Sequence, residues 1–234
     1  MDLKDRVVIV TGAAGNLGRA VAKRFADGGA RLVLFDIRRE NLEKAFGTED
    51  DRRSFAPVNL LESAQVEAAV KAAITRFGRI DALANLAGAF RSGQPVHSTP
   101  DADWNFLLDV NARTLLYMAR AVVPRLLEAG GGKIVNVGAF AAQRGTAQMG
   151  AYIASKSAVI RLTESMAAEL REKNINVNCV LPTTIDTPEN RAAMPKADPA
   201  RWVAPEDLAN VIAFLCSDAA RAIHGAAIPV AGLS

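Results

Sequence analysis

Residues Arg6 to Ala22, Arg-Val-Val-Ile-Val-Thr-Gly-Ala-Ala-Gly-Asn-Leu-Gly-Arg-Ala-Val-Ala, constrain this chain more than any other stretch. The β-branched run Val7 to Val10 reads as a strand and ends in a glycine-bearing turn. Arg19 to Phe25 then places apolar residues at helical spacing, so the turn opens a helix. Such a turn aims backbone N–H groups and the positive end of a helix dipole at one point, which suits a pyrophosphate. Gly12, Gly15 and Gly18 allow the backbone to turn tightly and to approach a ligand. A glycine trio alone is a weak signal; strand, turn and helix in this order make it a dinucleotide-site signature.

Strand-like and helix-like patterns alternate along the rest of the chain. Arg31 to Asp36 reads as a second strand, Asn41 to Phe46 as a short helix and Ser54 to Leu60 as a third strand. Glu62 to Phe77 is an amphipathic helix stopped near Gly78, and Ile80 to Leu86 is a fourth strand. Pro100 to Ala129 holds one long helix, with apolar residues every three or four positions. Lys133 to Val137, Ile175 to Leu181 and Ala226 to Ala231 read as strands, separated by helices at Gly150 to Lys173 and Pro205 to Ser217. Repeated β-α-β alternation predicts parallel strands with helices on both faces. The expected fold is α/β: a single doubly wound domain over residues 1–234, its seven-stranded parallel sheet flanked by helices.

Composition removes other classes. Half of the 234 residues are hydrophobic, yet no apolar run approaches the roughly 18–20 residues of a membrane span, so no membrane partner is expected. The net charge of +3 comes from interleaved acids and bases, with no basic stripe for nucleic acid. Met1 to Asp5 leads into the first strand without a signal-peptide pattern, and a cytoplasmic protein is expected. Cys179 and Cys216 lack metal-ligand or redox spacing and read as reduced core thiols. His97 and His224 fall in loop-like stretches without metal-ligand neighbours, so no metal is expected.

In a doubly wound sheet, ligands bind beyond the carboxyl ends of the strands. The second strand ends in Asp36, eighteen positions past Gly18, where a carboxylate binds an adenosine ribose and repels a 2′-phosphate. This favours NAD over NADP, although Arg38 and Arg39 stand close enough to pull the other way. The fourth strand leads into Asn85-Leu86-Ala87-Gly88, whose small residues let the chain pass close to a cofactor. After the fifth strand comes Tyr152-Ile153-Ala154-Ser155-Lys156. Positions i and i+4 share a helical face, so the ammonium is expected to lower the phenol pKa and suit it to acid–base work. A Tyr-Lys pair at this spacing is by itself an ordinary exposed helix face; its place in a dinucleotide fold makes it the strongest catalytic signal.

Thr11-Gly12 to Gly18, Asn85 to Gly88, Asn111, Tyr152 with Lys156, and Pro182 to Thr187 together resemble the short-chain dehydrogenase/reductase family in order and spacing. The resemblance spans almost the whole chain and implies a Rossmann-type, NAD(P)-dependent oxidoreductase for a small-molecule substrate. It implies that Tyr152 is the general acid for reduction, that Lys156 binds the nicotinamide ribose, and that Asn111 holds a proton-relay water. It assigns cofactor contacts to Gly12, Gly15, Asn16, Leu17, Gly18, Asp36, Asn59 and Leu60. Further contacts fall to Asn85, Ala87, Gly88, Tyr152, Lys156, Pro182, Thr184, Ile185 and Thr187. Family members associate through the helices expected at Asp103 to Leu127 and Ala151 to Leu170. Their surplus apolar surface predicts a homodimer or homotetramer.

Three positions depart from the family pattern. Asn16 stands where glycine is usual, and Asn59 where an aspartate commonly contacts the adenine. The usual catalytic serine, thirteen residues before the tyrosine, is Ala139. Losing one such donor costs roughly 10²–10³ in rate in other enzymes. Residues 138 to 202 resemble the dihydropteridine reductase branch, which also lacks this serine, through Gly138-Ala139, Gly145-Thr146, Met149 and Leu181 to Pro188. That resemblance implies a short substrate loop at about 183–204, with Asn190, Arg191 and Trp202 near the pocket mouth. Gln143 or Thr146 would supply a substitute donor beside Ala139. The expected substrate is a small carbonyl or alcohol, or an imine or quinonoid pterin. The competing class is a non-catalytic dinucleotide sensor, for which Ala139 is the evidence and the retained Tyr152, Lys156 and Asn111 the counter-evidence.

Overall fold

Alternation along the first strand decides the layering. In the computed structural model, which describes residues 3–234, β1 (Val7–Thr11) is buried throughout. Val8 and Val10 face one hydrophobic layer, and Val7 and Ile9 face the other, as a strand covered on both faces requires. The elements then follow in order: α1 (Asn16–Asp27), β2 (Arg31–Asp36), α2 (Arg39–Phe46), β3 (Arg53–Pro57), α3 (Ser63–Phe77) and β4 (Ala82–Asn85). They continue with α4 (Asp101–Leu108), α5 (Thr114–Glu128), β5 (Gly132–Val137), α6 (Gly150–Leu170) and β6 (Ile175–Pro182). The chain ends with α7 (Pro188–Ala193), α8 (Pro205–Leu215) and β7 (Ala227–Val230). The seven strands form one sheet in the order β3-β2-β1-β4-β5-β6-β7, every pair parallel. The expected seven-stranded parallel sheet flanked by helices is the one observed.

Phe25 and Val21 of α1 pack with Leu208 and Ile212 of α8 in one layer. Val66 and Val70 of α3 share the other with Met118, Val122 and Leu126 of α5 and Ala167 of α6. The strand order reverses between β1 and β4, and the gap there is the natural ligand crevice. Cys179 and Cys216 are buried free thiols. Among the described residues, no helix is long and apolar enough to cross a membrane, and no cluster of His, Cys, Asp and Glu could hold a metal.

Two differences from the sequence expectation bear on the site. β3 stops at Pro57 rather than Leu60, because Asn59 Oδ1 accepts the Leu61 N–H at 3.1 Å and turns the chain toward α3. The helix expected from Pro100 to Ala129 is interrupted at Asp109–Arg113 by a π turn. One extra residue in a helical turn leaves the apolar spacing almost intact, so hydrophobic periodicity does not register it.

Candidate active site

The nucleotide side is built from backbone. A Cβ on Gly18 would lie 2.2 Å from the Gly12 carbonyl oxygen, so α1 can start here only with glycine. Gly15 is the N-cap of α1; no side chain caps it and its first turn carries no acid. The N–H groups of that turn are therefore free for an anion. Asp36, at the carboxyl end of β2, accepts from Ala14 N at 3.1 Å, Ile37 N at 2.9 Å and Asn41 Nδ2 at 3.1 Å. An open helix start beside an anchored carboxylate fits a dinucleotide, pyrophosphate on α1 and ribose on Asp36. Arg39 is committed elsewhere, paired with Glu43 and Glu49 at 2.8 Å each, whereas exposed Arg38 carries no ion pair among the described residues. Asn16 reaches across the groove: its Nδ2 donates to Glu189 Oε2 at 2.7 Å, and its Oδ1 accepts from Arg19 at 2.6 Å.

The centre lies between the ends of β4 and β5 and the start of α6. Thr11 Oγ1 accepts from Leu86 N at 3.0 Å and Ala87 N at 3.2 Å, tying the chain after β4 to the end of β1. Asn85 Nδ2 donates to Asn136 Oδ1 at 3.0 Å in the neighbouring strand. The π turn presents the Asn111 side chain to the next loop, where Oδ1 accepts from Ala89 N at 3.0 Å. Its Nδ2 donates to Ala89 O at 3.1 Å and Ser155 Oγ at 3.0 Å. Both amide hydrogens of Asn111 are therefore spent on protein groups, and the side chain acts as a clamp. Gly88 is wedged beside it: a Cβ there would meet Asn111 Oδ1 at 2.8 Å and Lys156 Nζ at 3.1 Å. A cavity of about 10 Å³ lies below, lined by Thr11, Asn85, Asn111 and Thr114 among others, room for roughly one water.

Tyr152 and Lys156 share a face of α6, but their electrostatics differ from the expectation. Burial pushes the Tyr152 phenol up to about 12 and pulls the Lys156 ammonium down to about 8. Lys156 Nζ donates to Val137 O at 2.8 Å, and the desolvation of each group outweighs any help it gives the other. The expected lowering of the Tyr152 pKa by Lys156 is corrected accordingly.

The substrate side is apolar. Ala139 is 4% exposed and belongs to a cluster with Leu115, Ala142, Val159 and Ile160, against which Tyr152 packs. On the other side the Phe90 ring meets Tyr152 edge-on, with centroids 4.8 Å apart and planes at 82°. Phe90 lies in an aperiodic loop and gave no helical or strand signal. The clue was an aromatic two residues past Gly88, beyond the carboxyl end of a strand.

The candidate donors lie in the segment after Ala139. Gln143 is exposed, its Nε2 3.4 Å from Phe140 O, and Thr146 is exposed in the following loop. In the 183–204 segment, Thr187 caps α7 by accepting from Asn190 N at 3.2 Å. Asn190 Nδ2 donates to Ile185 O at 2.8 Å. Arg191 makes a two-point pair with Asp186 at 2.6 and 2.7 Å. Half-buried Trp202 sits at the far end, bonded through its backbone to Pro199 O at 3.0 Å. Pro182 closes β6, Thr184 O receives Val203 N at 2.9 Å, and Leu17 and Leu60 pack against the two core layers.

A family model described as enoyl-(acyl carrier protein) reductase matches residues 12–232. The D-threitol dehydrogenase of Mycolicibacterium smegmatis is 35% identical over 243 residues, covering 98% of this chain and 93% of that protein. The levodione reductase of Leifsonia aquatica is 32% identical over 249 residues, covering 97% of this chain and 93% of that protein. Among solved structures, the carveol dehydrogenase of Mycobacterium avium in complex with NAD is similar with a TM-score of 0.90. It shares 28% identity, over 98% of this chain and 97% of that one. This chain belongs to the short-chain dehydrogenase/reductase family. It is an NAD(P)-dependent oxidoreductase acting on a small molecule, and the non-catalytic sensor reading is set aside.

Proposed function

We propose that this chain, a single domain, interconverts a small carbonyl compound and its alcohol with NAD(H), using Tyr152 as the proton-transferring group. The observation that carries this is the half-buried phenol of Tyr152, shifted up by burial and one helical turn from Lys156, which reaches the carboxyl end of β5. A bound nicotinamide cofactor supplies the hydride to the carbonyl carbon, or accepts it in the reverse direction. In reduction the Tyr152 hydroxyl holds the proton that the carbonyl oxygen gains, so that the product is the neutral alcohol. The α1 N-terminus and Asp36 hold the pyrophosphate and adenosine ribose, and Lys156 the nicotinamide ribose. Ser155, which accepts from Asn111 and donates to Tyr152 O at 2.8 Å, keeps the clamp and the start of α6 in register. Asp36 and the committed Arg39 support NAD over NADP, against exposed Arg38, which favours a 2′-phosphate. Tyr152→Phe should abolish turnover while leaving cofactor affinity nearly unchanged by fluorescence titration. Retention of most activity would mean that the proton comes from elsewhere.

Ala139 supports a second reading, reduction of a protonated imine or a quinonoid pterin. Hydride addition to a ketone builds negative charge on oxygen, which a hydroxyl donor would stabilise. A protonated C=N group loses positive charge instead, and an alanine beside it costs nothing. The likeness of residues 138–202 to dihydropteridine reductases points the same way. Ala139→Ser decides: a tenfold rise in kcat/KM on the best substrate, about 1.4 kcal/mol, supports the carbonyl reading. No gain there, with a gain on simple ketones, supports C=N. We also infer a homodimer or homotetramer assembled through the α4–α5 and α6 faces, supported by exposed Leu116 and Leu127. A monomer by sedimentation would contradict it. The relatives' names span an acyclic polyol and cyclic terpenoid-like compounds, so they do not choose the substrate.

A further inference from the structure

We propose that the pocket selects a cyclic, largely apolar carbonyl compound or its alcohol over acyclic polyols, with Phe90 as a specificity-determining residue. The proposal rests on the reading that Tyr152 serves the reacting oxygen. Both flanks of the phenol are hydrocarbon: Phe90 stands edge-on to it, and Ala139 and Ala142 lie among the aliphatic residues on which it packs. Burial pushes the phenol up.

Phe90 is 58% exposed, yet both of its neighbours are anchored. Ala89 is held at its N–H and its carbonyl by Asn111, and Arg91 pairs with Asp103 while its guanidinium lies 3.8 Å from the Phe106 ring centroid. The loop that carries Phe90 is thereby held beside Tyr152, and its exposed ring offers van der Waals area to a substrate ring and no side-chain hydrogen-bonding group.

A polyol would need a polar partner for each hydroxyl it buries. Four polar side chains of the site and its flanking loops are engaged with protein. Asn111 is spent on Ala89 and Ser155, Ser157 Oγ donates to Ala142 O at 3.1 Å, and Asn190 and Arg191 are tied to Ile185 and Asp186. A ring of methylenes has no such requirement and gains from contact with Phe90 and Ala139.

The test is kcat/KM for cyclohexanol and larger ring alcohols against glycerol and xylitol, and for cyclohexanone in the reverse direction. Wild type, Phe90→Ala and Phe90→Leu are compared with both NAD(H) and NADP(H). The expected result is a preference of about hundredfold for ring substrates in wild type. Phe90→Ala should lower ring-substrate kcat/KM about tenfold, chiefly through KM and with cofactor affinity unchanged, and Phe90→Leu should recover most of it. Because Phe90 is an exposed loop residue, neither variant threatens folding. Polyol turnover equal to or above ring turnover, abolished by Tyr152→Phe, overturns the inference and leaves the proposed function standing. An unchanged ring-to-polyol ratio in Phe90→Ala removes Phe90 as its cause. No turnover of either class, with Tyr152→Phe indistinguishable from wild type, brings down the proposed function and the inference with it.

Discussion

At the β1–α1 turn the groove is shaped by side chains that are missing, whereas after β4 and β5 it is shaped by side chains that are present. The start of α1 presents main-chain N–H groups that no side chain caps, and a Cβ on Gly18 would collide with backbone. On the other side Phe90 and Ala139 pack about Tyr152 and the Asn111 clamp holds the loop after β4, an arrangement whose chemistry changes one side chain at a time. A backbone-built site recognises what all its ligands share, here a pyrophosphate. A side-chain-built site can be retuned without disturbing the fold. The two halves touch at Gly88, where the absence of a side chain makes room for Lys156 and Asn111.

The comparison breaks first at Gly18. Gly18→Ala places a Cβ 2.2 Å from Gly12 O and should abolish cofactor binding by titration while lowering stability by more than about 2 kcal/mol in denaturant unfolding. Normal binding would show that the turn is plastic. Gly88→Ala tests the junction. Its Cβ displaces Asn111 or Lys156, and kcat/KM should fall about hundredfold, with a smaller loss of cofactor affinity through the Lys156 ribose contact and little change in melting temperature. Equal losses in affinity would place Gly88 on the nucleotide side instead.

The next effect is a pH dependence on the substrate side. Lys156 has a folded-state pKa of about 8 against 10.5 for the free side chain. Between those values the unfolded chain carries a proton that the folded chain has released, so stability rises with pH across that window. Tyr152, pushed up from 10.0 to about 12, acts in the opposite sense: stability falls as pH rises from 10.0 toward 12. Unfolding titrations of wild type and Lys156→Met should differ by the Lys156 rise, and parallel curves would refute the burial of its charge. The smallest effect is on the nucleotide side. Glu189 brings a carboxylate to Asn16 at the start of α1, where a pyrophosphate would also sit. Glu189→Gln should tighten NAD(H) binding roughly two- to fivefold, and weaker binding would make the contact supportive rather than competitive.

The same division explains what could be read from the sequence. The strand, turn and helix at Arg6 to Ala22 were legible because a glycine's backbone needs are written in its identity. The sheet followed from β-α-β alternation, and Tyr152 and Lys156 from helical spacing at the end of β5. Phe90 was illegible because an irregular loop has no period from which to infer direction. Arg39 binds Glu43 at the readable i,i+4 interval, but its second partner, Glu49, depends on how the loop after α2 folds back. The lowered Tyr152 pKa failed because spacing reports proximity and says nothing of the desolvation that both groups undergo.

Between α4 and α5, the five-residue π turn at Asp109–Arg113 holds one residue more than the helix lattice allows. A surplus residue advances the angular phase of everything beyond it by about 100°. The apolar stripe that runs unbroken through the sequence is therefore split into two bearings. α5 points into the sheet and α3, while α4 is turned onto α6, beside the Tyr152 helix. The helix works as a crank, with one arm packed on the sheet and α3 and the other on α6. Removing Ala112 would bring the arms back into line and turn the Asn111 amide away from Ala89, a one-residue change that strikes the pocket harder than the fold.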